Sequence, residues 1–177
     1  IGGSSGLFSV SPATGKMTVV ARGRRRMSGF STDASVSQVA FVCTMVTAPT
    51  ELCVMDADGQ RERQLTRFNQ ALNIEVAWSD AERFTYQSVG NREIEGWLMK
   101  PFGYVAGRRY PVVLYIHGGP HSQYNEGWFD EFQNLAATGM FVLFTNPRGS
   151  SGTNGDFTNA SRGDWGGKDY IDLMKAV

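Results

Sequence analysis

The stretch Pro111-Val-Val-Leu-Tyr-Ile-His-Gly-Gly-Pro-His121 constrains the fold more than any other part of the chain. Val112 to Ile116 is continuously apolar, as a strand covered on both faces should be; a strand with one wet face alternates instead. His117-Gly118-Gly119 follows at once. Glycine lacks a Cβ, so the backbone there can approach another molecule closely. A backbone N–H in such a turn can point at a developing oxyanion, the largest single electrostatic contribution in acyl transfer. Alone, the turn is as well explained as a plain connection. A buried strand before it and a helical pattern after it favour the chemical reading.

The residues around this stretch predict a sheet. Phe141-Val-Leu-Phe-Thr145 is a second buried run. Between the two runs, Trp128, Phe129, Phe132, Leu135 and Ala136 recur at helical spacing, and Gly139 stands where a C-terminal cap belongs. Strand, helix and strand predict a right-handed βαβ unit. Phe84–Ser88 and Glu93–Lys100, around Gly90-Asn91, predict an antiparallel hairpin on the sheet edge. A second helix is expected from near Asp164, a plausible N-cap, with Tyr170, Ile171, Met174 and Val177 along one side. That pattern runs to the last residue, as expected of a cut rather than a natural end.

Residues 1 to about 80 read differently, as short strands divided by turns. Leu7-Phe-Ser-Val10 with Gly15 resembles Leu52-Cys-Val-Met55 with Gly59, about 45 positions on, a spacing that fits a β-propeller blade. The segment holds about one and a half blades, while a closed propeller needs ~4–8. Most of a propeller is therefore expected upstream; a small antiparallel meander is the alternative. The fold class expected is thus mixed. Residues 1–80 form the end of a partial all-β propeller, and residues 81–177 the N-terminal part of an α/β sheet domain.

Composition narrows the function classes. Lys+Arg and Asp+Glu balance at 17 each, so charge names no polyanionic partner, and no nucleic acid is expected. Arg22, Arg24, Arg25 and Arg26 read as a solvated loop, since no aromatic platform or basic helix accompanies them. No apolar run approaches the ~20 residues of a membrane span, so no membrane partner is expected. The start, Ile1-Gly-Gly-Ser-Ser-Gly6, is not a signal peptide and lacks an initiator Met, which fits an internal start. Cys43 and Cys53 read as neighbours in one hairpin, as free thiols rather than a disulfide, and fit no zinc spacing. Two Cys in a chain of this length lean toward a reducing, cytoplasmic location.

The candidate site residues cluster in two loops. In the turn, His117, Gly118, Gly119 and His121 are candidates, a backbone N–H among them serving as oxyanion donor. Arg148, Ser150 and Ser151 lie in the loop after the second buried strand, and such loops sit beside active sites at the carboxyl ends of strands. His117 reads as structural, its ring nitrogens bonding nearby backbone, because in an α/β-hydrolase the catalytic base comes last in the chain. Gly2-Gly3-Ser4-Ser5-Gly6 matches the letters of a nucleophile elbow, but no strand precedes it and no helix follows.

His117-Gly-Gly-Pro-His121, Asn146-Pro-Arg-Gly-Ser-Ser-Gly152, Asp164-Trp-Gly-Gly-Lys-Asp169 and the lead-in Gly96-Trp-Leu-Met-Lys-Pro101 together resemble the prolyl oligopeptidase family of serine peptidases. Its acylaminoacyl-peptidase and dipeptidyl-peptidase-like members are the nearest in pattern. The resemblance implies a β-propeller before an α/β-hydrolase domain, cleavage of short peptides through an acyl-enzyme, and no cofactor or metal. It maps the oxyanion donor to Gly119 and places the Ser-Asp-His triad beyond Val177. One departure stands out: the family often has Tyr-Gly where this chain has Thr153-Asn154. The chain alone is then expected to be inactive and to cling to the remaining part of the same enzyme, with a homo-oligomer left open. The alternative is a non-catalytic binding or scaffold module that keeps the fold.

Overall fold

The computed structural model describes residues 2–177; Ile1 lies outside them, and with it the residue that precedes the elbow-like Gly2–Gly6 run. Two compact units divide the chain. One holds Gly3–Ala77 and Asn125–Trp128; the other holds Gly2, Trp78–Tyr124 and Phe129–Val177.

In the first unit β1 (Gly6–Val10) and β2 (Met17–Arg22) pair as a hairpin. β3 (Arg26–Thr32), β4 (Gln38–Met45), β5 (Ala48–Asp56) and β6 (Arg63–Gln64) form a four-stranded antiparallel meander in chain order, and α1 (Gln70–Glu75) is a short exposed helix. Val39, Phe41 and Cys43 alternate along β4 into a core with Met27, Cys53 and Met55. β3 escapes sequence reading because Met27 is its one buried residue, which leaves no alternation to detect. Pro49 lies within β5. It sits where the β4–β5 register shifts between Cys43 and Met45, and an irregularity of that kind accommodates a residue with no N–H.

The basic run is not simply solvated. Arg25 pairs with Glu62, lies 5.7 Å from the Phe41 ring centroid and reaches the Cys43 sulfur at 4.0 Å. Arg24 meets the buried Glu126 carboxylate at 3.2 Å. Asn125–Trp128 belong to this unit through such contacts, including Trp128 N–H to the Thr44 hydroxyl at 3.0 Å. Both cysteines are free and buried, as expected; burial, with Cys43 adjacent, pushes the Cys53 thiol up to about 11.

The second unit opens with the hairpin β7 (Ala81–Ser88) and β8 (Arg92–Met99), with Gly90 and Asn91 both at positive φ in its turn. β9 (Val112–Tyr115), α2 (Asp130–Ala137) and β10 (Phe141–Asn146) form the expected βαβ unit, with β9 and β10 parallel. α3 (Gly155–Thr158) and α4 (Lys168–Met174) follow. The sheet order is β7-β8-β10-β9. The core is aromatic: Trp97 of β8 stacks on Phe144 of β10 at 5.4 Å, and Phe144 on Phe132 of α2 at 4.4 Å.

Three expectations change here. β9 is not covered on both faces, since Val112 and Ile116 are each 52% exposed. Among the described residues it is an edge strand with β10 as its one neighbour, so β10 takes the buried place. α2 begins at Asp130, not at Trp128; Gly139 at φ 92° does cap it, its N–H bonding the Ala136 carbonyl. α4 begins at Lys168 with Gly167 at its N-cap, and its buried side is the opposite one. Tyr170, Ile171, Met174 and Val177 are exposed, while Asp169, Asp172 and Leu173 face inward. An apolar stripe loses to a polar one here because Asp172 finds buried partners.

Candidate active site

The turn after β9 and the loop after β10 meet at the carboxyl ends of the two parallel strands, where α/β sheets place their sites. Their contact is His117 to Ser150: imidazole Nε2 lies 3.0 Å from the hydroxyl oxygen. The other ring nitrogen, Nδ1, lies 3.0 Å from the Gly118 carbonyl. A carbonyl only accepts, so Nδ1 carries the proton and Nε2 accepts from Ser150. Ser150 is 1% exposed and its own carbonyl accepts from Thr158. It acts as a strut between loops, not as a serine presented on an elbow. His117 thus bonds one backbone group and one side chain, where two backbone partners were expected.

This strut holds Gly119. Its φ of 137° lies in the region that side-chain-bearing residues avoid, and an added Cβ would come within 2.7 Å of the His121 backbone nitrogen. Gly118 differs, with no strained φ and open space where its Cβ would be. The Gly119 N–H makes no hydrogen bond among the described residues. A small pocket of about 90 Å³ opens there, walled by His117, Gly118, Gly119, Arg148, Ser150 and Trp165. An N–H left free in such a pocket is a donor in reserve for a bound oxygen.

The loop after β10 is fixed from below by a buried ion pair. Asp172 of α4 is fully buried and accepts from Arg148 Nε at 2.7 Å, from Nη2 at 2.8 Å and from the Arg148 backbone N–H at 3.0 Å. Ser88 adds a hydroxyl at 2.5 Å, and Arg148 also bonds the Val89 carbonyl. The side-chain bond to Asp172 holds the Arg148 guanidinium above its ordinary pKa. Arg148 is therefore consumed in positioning its loop. Sequence reading missed Asp172, although a carboxylate beside Leu173, on a helix following an Arg-bearing loop, is a legible sign.

The segment between the turn and α2 is clamped as well. Asn146, at the end of β10, accepts from Tyr124 N–H at 2.7 Å and donates to its carbonyl at 3.1 Å. The Tyr124 ring packs edge-on to His117, and burial pushes its hydroxyl above the usual phenol range. Of the remaining candidates, Ser151 bonds the Ser122 carbonyl through its N–H, joining the two loops. His121 is exposed and lines a neighbouring cleft. Ser4, in the elbow-like run, bonds Glu126 at 2.6 Å and leads into β1. Among the described residues no three His, Cys, Asp or Glu side chains gather as a metal site requires, and no helix is long and apolar enough to cross a membrane.

A βαβ unit with a glycine turn at the carboxyl edge of its parallel strands defines the class as an α/β sheet domain. The chain is similar to the prolyl oligopeptidase family: the model described as "Prolyl oligopeptidase family" matches residues 127–177. Over 99% of its length it is 38% identical to "Uncharacterized peptidase YuxL" of Bacillus subtilis, covering 26% of that protein. Over 99% it is 24% identical to "Dipeptidyl-peptidase 5" of Schizosaccharomyces pombe, covering 27%. In structure, 92% of the chain superposes on 25% of the acylaminoacyl peptidase of Pyrococcus horikoshii, with a TM-score of 0.82 and 29% identity. The chain therefore spans about a quarter of the length of these relatives.

Proposed function

We propose that this chain is part of a serine peptidase that hydrolyses short peptides through an acyl-enzyme, and that it supplies the oxyanion side of the site. Residues 81–177 are the first part of an α/β-hydrolase domain, and residues 1–80 the end of a β-propeller that restricts entry to small or unfolded substrates. The observation that carries this reading is the unengaged N–H of Gly119, held at a strained φ beside a pocket. The chain's two histidines both lie in this turn, and in this reading the base, acid and nucleophile come from the rest of the protein. Similarity to proteins named peptidase, dipeptidyl-peptidase and acylaminoacyl peptidase supports the reaction class.

In this mechanism a serine attacks the scissile carbonyl, the carbonyl carbon becomes tetrahedral, and its oxygen takes up negative charge. Gly119 N–H donates to that oxygen. The His117–Ser150 contact keeps the donor aimed, and the Arg148–Asp172 pair keeps Ser150 in place. The test is pre-steady-state hydrolysis of an activated ester by the complete protein. A burst abolished by a serine-directed phosphonate is expected; its absence in well-folded protein overturns the reading.

A further inference from the structure

A second cleft, of about 330 Å³, lies against the oxyanion turn within the same unit, and the mechanism above does not use it. It shares two walls with the smaller pocket, Pro120 and Trp165. Pro120 follows Gly119 directly. A peptide whose carbonyl oxygen meets the Gly119 N–H would thus pass a neighbouring residue over Pro120 into this cleft. The volume is at the lower end of the range that holds a small ligand, enough for a residue or two.

Two side chains in the wall are unexplained by packing. Trp165 is 74% exposed, a large indole face at the boundary of both cavities. Arg162 is exposed and makes no ion pair among the described residues, unlike Arg148, which Asp172 consumes. His121, also exposed, adds ring-nitrogen hydrogen-bonding capacity to the same cleft. A free guanidinium presents a planar fork that matches a carboxylate with two parallel bonds. The indole beside it suits the apolar stem of the residue that bears the carboxylate.

Resting on the peptidase reading, we infer that this cleft is a specificity subsite for a peptide carboxylate, with Arg162 its anchor and Trp165 its apolar wall. The carboxylate is either the C-terminus of a very short substrate or a Glu side chain next to the scissile bond. The complete protein and its Arg162→Gln and Arg162→Lys variants are assayed on two substrate pairs. One pair differs as C-terminal acid against amide; the other as Glu against Gln beside the cleaved bond.

For one pair, Arg162→Gln should lower kcat/KM on the charged member about tenfold, mainly through KM, and leave the neutral member within about twofold. Arg162→Lys should restore part of the loss. The pair that responds identifies the source of the carboxylate. Equal effects on charged and neutral members of both pairs, or no effect on either, overturn the subsite alone. A wild-type protein that cleaves none of the four peptides overturns the peptidase reading, and the subsite with it.

Discussion

The Ser150 hydroxyl, 1% exposed, donates to Nε2 of His117 across 3.0 Å, and this bond ties the loop after β10 to the turn that carries Gly119. Ser150→Ala should leave Nε2 without a partner and cost about 1–3 kcal/mol of stability. In the complete protein it should lower kcat with little change in KM, because the donor's aim matters most as the oxyanion forms. Urea denaturation and steady-state kinetics together check this; an unchanged kcat separates the strut from the chemistry.

Gly118 and Gly119 should respond unequally to the same methyl group. Gly118→Ala meets open space at an unstrained φ, so near-normal turnover is expected in the complete protein. Gly119→Ala forces a Cβ to 2.7 Å from the His121 nitrogen and must shift the turn. Loss of an oxyanion donor costs about 10²–10³ in turnover, and a loss of that order is expected. The strain also implies a measurable fall in melting temperature, so the Gly118 variant is the necessary control. Equal turnover in the two variants removes Gly119 from the oxyanion hole.

The Arg148–Asp172 pair gives a stability prediction. Asp172→Ala leaves a buried guanidinium unpaired and should cost about 3–5 kcal/mol. Ser88→Ala removes one neutral donor from the same carboxylate and should cost about 1 kcal/mol. The double replacement Arg148→Met with Asp172→Leu should recover much of the first loss, since the desolvation cost disappears with the charges. Chemical denaturation of the three variants checks the order; a double variant no better than Asp172→Ala contradicts the argument.

Cys53 gives a pH prediction. Its folded-state pKa is raised from an ordinary 9.0 to about 11, chiefly by burial. The unfolded chain then loses this proton at lower pH than the folded one. The contribution to stability is complete below about pH 9 and disappears as pH rises through about 11. Denaturation midpoints should fall between those values, and fall less steeply in Cys53→Ala. Alkylation of native protein at pH 8 should be slow and should accelerate on unfolding; fast native alkylation contradicts the burial argument.

Residues 1–177 expressed alone should be inert toward esters and peptides, because His117 is engaged by Ser150 and the proposed reading places nucleophile, acid and base in the rest of the protein. β9 also offers an unpaired edge among the described residues, which invites association. Phosphonate-sensitive turnover by the isolated chain, or a sharp monomeric species with a cooperative melt, would contradict the respective halves of this expectation.

Local pattern was enough for the βαβ unit, the β7–β8 hairpin, the Gly139 cap and the free buried thiols, because each rests on periodicity or on one residue's backbone freedom. It also pointed to the two loops that the fold brings together, since glycines beside a buried run are visible in one dimension. What it could not supply were pairings between distant residues. The inward side of α4 was misread because Asp172 is buried only by virtue of Arg148, 24 positions earlier, and Ser88, 84 positions earlier. β9 was misread because an apolar run records what a strand can bury, while its neighbours decide what it does bury. The strain at Gly119 and the Ser150 strut belong to the same class: they exist only once two loops from different strands are brought to one edge of the sheet.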